Sequence, residues 1–386
     1  MKIVYLSNFF NHHQKFLSDV LYEHLGEGNY YFVETSAIPE TQKKLGYHSY
    51  DVPYLLQYNE QTKAKIDRIV MEADIVQFGE APASMIKKRA RAGKIILRDD
   101  ERRYKALVKY LKWPVYTYNS LFLNKGYLLA ASAFAPRDYL LSGMRPSRCF
   151  KWGYFPEVKR YEDIDRIFAR KQTYRESKGI DVSLLWVARL IDWKHPESTI
   201  KVAKFLDRNN IRYELNIIGA GPLEDKMKKL IESNGLSGRV NLLGPIPPEK
   251  VRLYMEDSDV FMFTSDQNEG WGATLNESMN SACAVVVGDM IGAVPFLMKD
   301  GENGLMFKSK DWEDLAQKVK FLAQNPDVRV TLGTNAYKTM TENWSPNVAG
   351  NNLIALCEAL LNEKDTPIAE GPCSKAKIMC SNWRKR

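Results

Sequence analysis

The chain has 386 residues, of which 45% are hydrophobic and 26% charged, and its formal net charge is +8. This composition is typical of a folded globular protein and excludes a disordered or fibrous chain. The longest apolar stretch, 126–135, is about half of the roughly 20 residues that a membrane-spanning helix needs. The apolar run 3–6 is too short for a signal peptide, and the five cysteines are scattered without a C-x-x-C pair. We therefore expect a cytoplasmic protein with reduced cysteines and no zinc site.

The first half of the chain alternates short apolar runs with segments of helical spacing. Strands are predicted at 2–8, 30–34, 75–78, 94–97 and 128–134, with a helix at about 13–25 after the first of them. This alternation predicts an α/β domain built on a parallel sheet, at residues 1–160. The charged segment that follows lacks periodicity and is predicted to be a linker at 161–180.

The second half repeats the pattern. Predicted strands are 183–188, 213–218, 240–243, 260–263 and 284–287, and predicted helices include 247–256, 274–282, 312–323 and 346–362. A second doubly wound domain is therefore expected at 181–364, with the tail 365–386 as a candidate for packing back on the first domain. Two such domains facing each other place a ligand cleft between the carboxyl ends of their sheets.

The positive charge is concentrated in two segments. Residues 81–130 contain twelve Lys or Arg and three acidic residues, and residues 371–386 add five bases and no acid. Aromatic residues are interleaved with the bases of the first segment, which suits an anionic membrane surface or a nucleic acid. Composition does not separate the two, and a third interpretation is that the bases only cover solvated helix faces.

Glycines and cations follow two of the predicted strands of the second domain. Gly219 and Gly221 lie in a Gly-Ala-Gly-Pro turn before a helix, where backbone N–H groups favour a phosphate. Glu224 stands where a dinucleotide motif has its third glycine, which disfavours hydride chemistry. Arg189 and Lys194 could face one diphosphate from a single loop. Alternatively, they are two incidental surface cations, and the neighbouring His195 is interpreted as a loop residue.

The stretch 263–277 carries the most information. A predicted strand leads into a polar loop with Glu269, then Gly270 and Gly272, and then a helix with Glu277 about two turns along. The glycines allow close approach of the backbone to a ligand, and the helix N-terminus offers N–H donors. The simpler alternative, a first-turn acid and a solvated helix residue, explains neither the paired glycines nor the glutamate spacing.

In combination these segments resemble the retaining nucleotide-sugar glycosyltransferases of family 4. The E-x(7)-E signature of that family matches Glu269 and Glu277, its V-G-R-L-x-x-x-K-G pattern matches 187–194, and its I-x-G-x-G-P pattern matches 218–222. The resemblance covers roughly 180–364, and the first half is similar only in architecture. It implies the GT-B fold, in which two Rossmann-like, doubly wound domains face each other across a cleft.

The resemblance also implies an activity and a set of site residues. The enzyme would move a sugar from a nucleotide-diphosphate sugar to an acceptor hydroxyl with retention of configuration, without a metal or cofactor, and a UDP-sugar is the preferred donor. Arg189 and Lys194 would neutralise the diphosphate, Glu269 would hold the transferred sugar, Glu277 would accept from the ribose, and Ile246 would neighbour the base. The remaining donor-binding residues would be Gly219, Gly221, Gly270, Trp271, Gly272, Ala273, Thr274 and Leu275.

The first domain departs from the family pattern. The usual glycine-rich loop after the first strand is replaced by 9–14, which contains His12 and His13. These histidines, with Arg102 and Arg103 after a later strand, are candidates for contact with the acceptor. The acceptor is expected to be a sugar or lipid-linked sugar, in bacterial cell-surface polysaccharide or glycolipid synthesis.

Two D-x-D sequences, at 163–165 and 257–259, are rejected as metal sites because the first lies in the predicted linker and capping explains the second. An epimerase or phosphorylase-like enzyme of the same fold remains an alternative, and a basic nucleic-acid-binding protein is less favoured. The expected partners are the donor, the acceptor and an anionic membrane surface, with no nucleic acid. We expect a peripheral location on the inner face of the membrane.

Overall fold

The computed structural model describes residues 1–43, 47–101, 125–140, 143–380 and 382–385. They form two compact units, the first containing 1–157 and 344–386 and the second 158–343. Among the described residues, the helices are all too short or too polar to span a membrane.

The first unit is built on a seven-stranded parallel sheet with the order β3-β2-β1-β4-β5-β6-β7. The strands are β1 Ile3–Ser7, β2 Tyr30–Glu34, β3 Leu55–Gln57, β4 Ile75–Phe78, β5 Ile95–Asp100, β6 Gly126–Ala130 and β7 Cys149–Lys151. The helices before the second unit are α1 His12–Leu25, α2 Glu40–Lys43, α3 Lys63–Glu72, α4 Ala83–Arg91 and α5 Ala135–Leu140. The central strands β1 and β4 are buried along their whole length, as expected for strands of a parallel sheet that is covered on both faces.

The second unit contains a six-stranded parallel sheet with the order β10-β9-β8-β11-β12-β13. Its strands are β8 Val182–Val187, β9 Tyr213–Ile218, β10 Val240–Gly244, β11 Val260–Phe263, β12 Ala284–Gly288 and β13 Leu305–Phe307. Its helices are α6 Asp165–Lys178, α7 Glu197–Arg208, α8 Glu224–Ser233, α9 Pro248–Asp257, α10 Ala273–Asn280, α11 Val294–Leu297, α12 Trp312–Gln324 and α13 Pro326–Lys338. The predicted fold class, two doubly wound α/β domains, is confirmed.

The segment predicted as a linker, 161–180, contains helix α6. This helix has no apolar stripe, and polar contacts with α9 hold it in place. Arg170 pairs with Glu256 (3.0 Å), and the Lys171 ammonium donates to the Met255 carbonyl oxygen near the end of α9 (2.9 Å). Lys171 is only 2% exposed. Apolar periodicity therefore could not reveal a helix whose contacts are ionic.

The chain returns to the first unit after Asn343, earlier than the predicted boundary at 364. The last long helix, α14 Pro346–Leu361, packs against α1. The two helices approach closely at Gly350, where a Cβ atom would lie 2.6 Å from Val20 Cγ1. The predicted helix was correct, but its neighbour is more than 300 residues away in the chain, which local patterns do not report.

The C-terminal tail also belongs to the first unit. It runs beside β7, where the Lys151 N–H donates to the Ser374 carbonyl oxygen (2.7 Å) and the Ala376 N–H donates to the Cys149 carbonyl oxygen (2.9 Å). The tail thereby satisfies backbone groups on the edge strand of the sheet.

Candidate active site

A buried ion pair connects two loops at the carboxyl end of the second sheet. Lys194 lies after β8 and Glu269 after β11, and the Lys194 ammonium donates a hydrogen bond to the Glu269 carboxylate. Both side chains are nearly enclosed, at 11% and 10% exposure. The ammonium also lies 4.5 Å from the centre of the Trp193 ring, a cation–π distance. The structure thus brings together two residues that the sequence proposed for catalysis.

Hydrogen bonds hold these loops in register. The Thr264 hydroxyl donates to the Lys194 carbonyl oxygen (2.6 Å), and the Trp186 indole N–H donates to the same hydroxyl (2.8 Å). The Asp266 N–H donates to the Trp193 carbonyl oxygen (3.0 Å). Because these groups are buried, breaking any one contact would leave a polar atom unsatisfied.

His195 reinforces the same junction, although the sequence interpretation treated it as a loop residue. Its Nε2 lies 3.2 Å from Asp266 Oδ2, and its Nδ1 lies 3.7 Å from Glu197 Oε1. Hydrogen bonding to Glu197 and then to Asp266 outweighs burial and raises the pKa of His195. Its φ is +47°, in the left-handed region that favours glycine. The family pattern has glycine at this position, so a histidine there was a usable indication that sequence reasoning missed.

Asp266 is the acceptor at the centre of this junction and is 3% exposed. It also receives the Asn268 N–H (2.9 Å) and lies 3.2 Å from the Lys310 ammonium. Burial raises its pKa, but these hydrogen bonds and the one from His195 outweigh burial, so the pKa falls below its usual value. The carboxylate is therefore ionised and fixed between the two loops.

Gly219 and Gly221 have a packing role that the sequence did not reveal. A Cβ atom at Gly219 would lie 1.9 Å from the Ala188 carbonyl oxygen, and one at Gly221 would lie 2.4 Å from the Leu190 carbonyl oxygen. Moreover, the Gly219 N–H donates to the Gly244 carbonyl oxygen (2.9 Å). The glycines therefore seat the loop that presents Arg189, whose side chain is exposed.

Gly272 positions the start of helix α10. Its φ is +93°, and a Cβ atom there would lie 2.4 Å from Phe263 Cζ and 3.4 Å from Glu269 Cγ. A larger residue would displace the Glu269 side chain or the strand beneath it. The carboxylate of Glu269 and the N-terminus of α10 are consequently neighbours, as the paired glycines suggested.

Residues 270–275 differ in what their side chains can contact. Trp271 and Leu275 are fully buried, and the Trp271 indole N–H donates to Asn276 (2.9 Å), so only the backbone of these two residues is suited to a ligand. Gly270, Ala273 and Thr274 are half-buried, as is Ile246 in the loop between β10 and α9.

Glu277 lies on α10 one turn from its end. Burial raises the pKa of its carboxyl group to about 7, while the Arg252 charge opposes the shift. Arg252, itself 7% exposed, donates to the Glu277 carbonyl oxygen (3.1 Å) and to the Asn280 side chain. Asn280 in turn donates to the Lys159 carbonyl oxygen (3.0 Å). Arg252 thus fixes the helix that carries Glu277.

The carboxylates of the two D-x-D sequences participate in structural contacts. Asp163 accepts the N–H of Asp165 (2.9 Å). Asp257 pairs with Arg170 (2.6 Å), and Asp259 accepts the Ser183 N–H (2.9 Å). The Asp163 contact is local. Asp257 and Asp259 instead bind residues of α6 and β8 that are more than 70 residues away in the chain, so these contacts are long-range and are not the capping contacts predicted for the second sequence.

The predicted acceptor residues in the first unit are only partly described. Asn11 caps α1 by accepting the N–H of His13 (2.9 Å), which places His12 and His13 in the first turn with ring centres 4.0 Å apart. His13 lines a pocket of about 490 Å³ within this unit. Arg102 and Arg103 lie outside the described residues.

Comparison with known proteins finds a family match in the second unit. Residues 170–339 match the family model of glycosyl transferases group 1. This region contains the Lys194–Glu269 pair, Gly219, Gly221 and Glu277. The match therefore supports the predicted resemblance to glycosyltransferases.

Known glycosyltransferases align with this chain over part of their length. An uncharacterized glycosyltransferase of Methanocaldococcus jannaschii is 25% identical over 248 residues, covering 64% of this chain and 62% of that protein. A poly(ribitol-phosphate) alpha-N-acetylglucosaminyltransferase of Staphylococcus aureus is 28% identical over 160 residues, covering 41% of this chain and 32% of that protein. The chain thus spans between about a third and three fifths of these relatives.

The similarity to solved structures extends beyond residues 170–339. HepE of Anabaena, solved in complex with UDP, superposes with a TM-score of 0.69 at 16% identity, over 93% of this chain and all of that one. WaaG, a glycosyltransferase involved in lipopolysaccharide biosynthesis, superposes with a TM-score of 0.62 at 15% identity, over 90% of this chain and 98% of that one. The fold is therefore GT-B, as predicted.

Proposed function

We propose that this protein transfers a sugar from a nucleotide-diphosphate sugar to an acceptor hydroxyl with retention of anomeric configuration. The observation that carries the proposal is the buried Lys194–Glu269 pair, held against the N-terminus of α10 inside the region that matches the group 1 family model. This arrangement combines a fixed cation, backbone donors and a carboxylate at the end of a parallel sheet, where doubly wound folds bind ligands.

The donor is held by charge and by hydrogen bonds. Arg189 and Lys194 neutralise the diphosphate, and the N-terminus of α10 adds N–H donors for its oxygens. Glu277 accepts from the ribose hydroxyls, and Ile246 neighbours the base. UDP is the nucleotide we favour, because HepE and S. aureus TarM are both described in complex with UDP.

Catalysis rests on preorganised electrostatics. Negative charge develops on the departing diphosphate, and cations already fixed in place stabilise that charge without reorganisation. Glu269 orients the transferred sugar, and Lys194 together with the Thr264 and Asp266 contacts fixes Glu269. The leaving phosphate takes the acceptor's proton, so no metal, cofactor or separate base is needed.

The biological setting is cell-surface polysaccharide or glycolipid synthesis at the inner face of a membrane. A relative with such a name is a lipopolysaccharide core biosynthesis mannosyltransferase of Rhizobium leguminosarum. In the first unit, helix α4 exposes Lys87, Lys88 and Arg91, which would dock against anionic lipids and bring the enzyme to a sugar or lipid-linked acceptor. Nucleic acid is not a partner in this proposal.

The first experiment screens UDP-, GDP- and ADP-sugars for thermal stabilisation of the full chain, because ligand binding raises the melting temperature by mass action. We expect stabilisation by UDP-sugars, with Arg189→Ala losing most of it. Product analysis by NMR then tests transfer to a new acceptor and the anomer formed, with and without EDTA. A product with inverted configuration contradicts the mechanism, as does activity that is lost in EDTA and restored by manganese. Conversion of the donor without transfer to an acceptor favours an epimerase.

A further inference from the structure

The first unit contains a pocket of its own at the carboxyl ends of β1, β4 and β5. It has a volume of about 490 Å³, and its lining includes Ser7, Gly79, Asp99 and His13. Each lining residue belongs to the first unit, and the volume suits one or two sugar rings. Its position follows the rule that ligands bind beyond the carboxyl ends of the strands in open α/β sheets.

The charge of this pocket is negative. Four carboxylates line it, from Glu80, Asp99, Asp100 and Glu101. Among the lining residues that the structure describes, Arg98 carries the one guanidinium. It donates to the Phe78 carbonyl oxygen (3.2 Å) and pairs with Asp100 (3.3 Å), so its charge is already engaged by the wall.

The lining histidine does not offset these carboxylates. Burial, with a smaller contribution from His12, holds the pKa of His13 well below its usual value, so its imidazole is uncharged at neutral pH. An anion entering this pocket would therefore meet excess negative charge from the lining residues that the structure describes.

Hydrogen-bond acceptors dominate the wall as well. Tyr5 and Gln77 both donate to Asp99 Oδ2, at 2.7 and 3.0 Å. Within the part of the chain that the structure describes, His13 Nδ1, Gln14 Oε1 and Gln77 Oε1 are buried without a hydrogen-bond partner. His13 and Gln14 line the pocket. Gln14 Oε1 is an acceptor, and His13 Nδ1 is an acceptor in the tautomer that carries its proton on Nε2. Unpartnered buried acceptors are costly, and a ligand that donates hydrogen bonds would satisfy these two.

Aromatic rings complete the lining. Phe9, Tyr47 and Tyr154 contribute to the wall, and the His13 and Tyr154 rings are stacked with centres 5.9 Å apart. Apolar ring faces beside a few oriented polar groups are typical of a site for a small organic ligand.

On the basis of the proposed transferase function, we propose that this pocket binds the acceptor sugar and selects a head group that donates hydrogen bonds and carries no negative charge. Hydroxyl-rich neutral sugars and amino sugars fit this chemistry. A sugar bearing a carboxylate or a phosphate would be repelled by four carboxylates in a partly enclosed site and would leave their desolvation uncompensated.

The test compares methyl glucoside, methyl glucosaminide and methyl glucuronide, which share a ring and differ in charge. Binding to the full-length protein is measured by NMR titration in the presence of saturating UDP. We expect methyl glucoside and methyl glucosaminide to bind at least tenfold more tightly than the glucuronide. Glu80→Gln and Asp99→Asn should each reduce this gap, the ratio of the two affinities, at least threefold. Glu72→Gln, which removes an exposed acid on α3 away from the pocket, should leave the gap unchanged.

Glu80 is exposed, so its variant keeps the test valid if Asp99→Asn fails to fold. Equal binding of the glucuronide, or a gap unaffected by both pocket variants, overturns the proposal. UDP binding by the same samples is measured separately. If UDP binds and none of the sugars does, the pocket proposal is wrong and the proposed function survives. If no nucleotide binds, the proposed function is wrong.

Discussion

Lys194 and Glu269 are 75 residues apart in the chain, yet their side chains form a buried ion pair between the loops that follow β8 and β11. The pair faces the start of α10, whose Gly272 leaves room for Glu269. The same two groups that we propose for catalysis therefore also hold the site together, so their variants affect stability as well as turnover.

Substitution of one partner is expected to destabilise the protein strongly. Lys194→Met and Glu269→Gln should each lower the free energy of unfolding, by about 3–5 kcal/mol for a change that leaves a buried charge unpaired. The double variant should lose less than the sum of the two, because the uncompensated charge is removed. Urea unfolding measures all three, with Lys229→Met on an exposed face of α8 as the control. Additive losses would mean that the two side chains do not interact.

Arg189 is expected to affect activity without affecting stability, since its side chain is exposed. Arg189→Ala should slow sugar transfer by about two to three powers of ten, the usual effect of deleting one preorganised electrostatic contact, and should weaken nucleotide binding. Arg208→Ala, which removes another exposed arginine at the end of α7, is the matched control. Near-normal turnover in Arg189→Ala would contradict the diphosphate role.

Glu277 is expected to make stability depend on pH. Burial raises the pKa of its carboxyl group from 4.5 to about 7 in the folded protein. The folded state therefore binds this proton more tightly than the unfolded state, and the associated stability is present below about pH 4.5 and lost as pH rises to about 7. Glu277→Gln should remove this dependence, giving a relative gain on the order of 1–2 kcal/mol at pH 8 after allowance for partial exposure. Melting curves of both proteins at pH 5 and pH 8 measure it, and parallel pH profiles would contradict the assignment.

The contacts of His195 with Asp266 and Glu197, called here the His195 clamp, are also expected to make stability depend on pH. As for Glu277, the stability is expected to fall as pH rises. Contacts with Glu197 and Asp266 raise the pKa of His195 above its usual 6.5, and Lys310 also lies against Asp266. The stabilisation by protonated His195 is present below pH 6.5 and lost as pH rises through the raised pKa.

His195→Gly relieves the left-handed backbone but removes the clamp, so it should be less stable than wild type at pH 6 and should lose less stability between pH 6 and pH 8. His24→Asn, on the exposed end of α1, should leave the profile unchanged. The proposed role of the clamp fails if His195→Gly retains the wild-type pH dependence.

Helix α4 offers a test of membrane association. Lys87, Lys88 and Arg91 are exposed, whereas Arg89 is fully buried and donates to the carbonyl oxygens of Val70, Ala73, Asp74 and Ile95. Arg89 must therefore be left intact. Replacing the three exposed residues with Glu should release the protein from anionic vesicles, because each base near the surface contributes about 1 kcal/mol.

Vesicle flotation at low salt measures this release, and donor hydrolysis in solution should be unaffected. Replacement of Lys226, Lys228 and Lys229 on α8 with Glu provides a charge-matched control in the second unit. If the wild type does not bind, or if both triple variants bind equally well, α4 is not a membrane surface.

The sequence alone determined the doubly wound architecture and the motif residues of the second unit. Strand β11 was predicted at its observed bounds, because a strand buried on both faces tends to be apolar along its whole length. Strand β9 was also predicted at its observed bounds, although it contains Glu214 and Asn216. The sequence also placed Glu269 in a loop and Glu277 on the following helix. Both placements depend only on nearby residues, namely the strand before Glu269 and the glycines before the helix.

Other features were decided by tertiary structure. Helix α6 has ionic contacts in place of an apolar stripe, and α14 packs on α1 across the length of the chain. His195 acquires its role only when Asp266, 71 residues later, lies beside it. Gly219 and Gly221 looked like phosphate-binding glycines, and their close approach to the Ala188 and Leu190 carbonyls became visible only in the folded chain. Local periodicity reports which face of an element is buried, whereas it contains no information about which distant group the chain brings to that face.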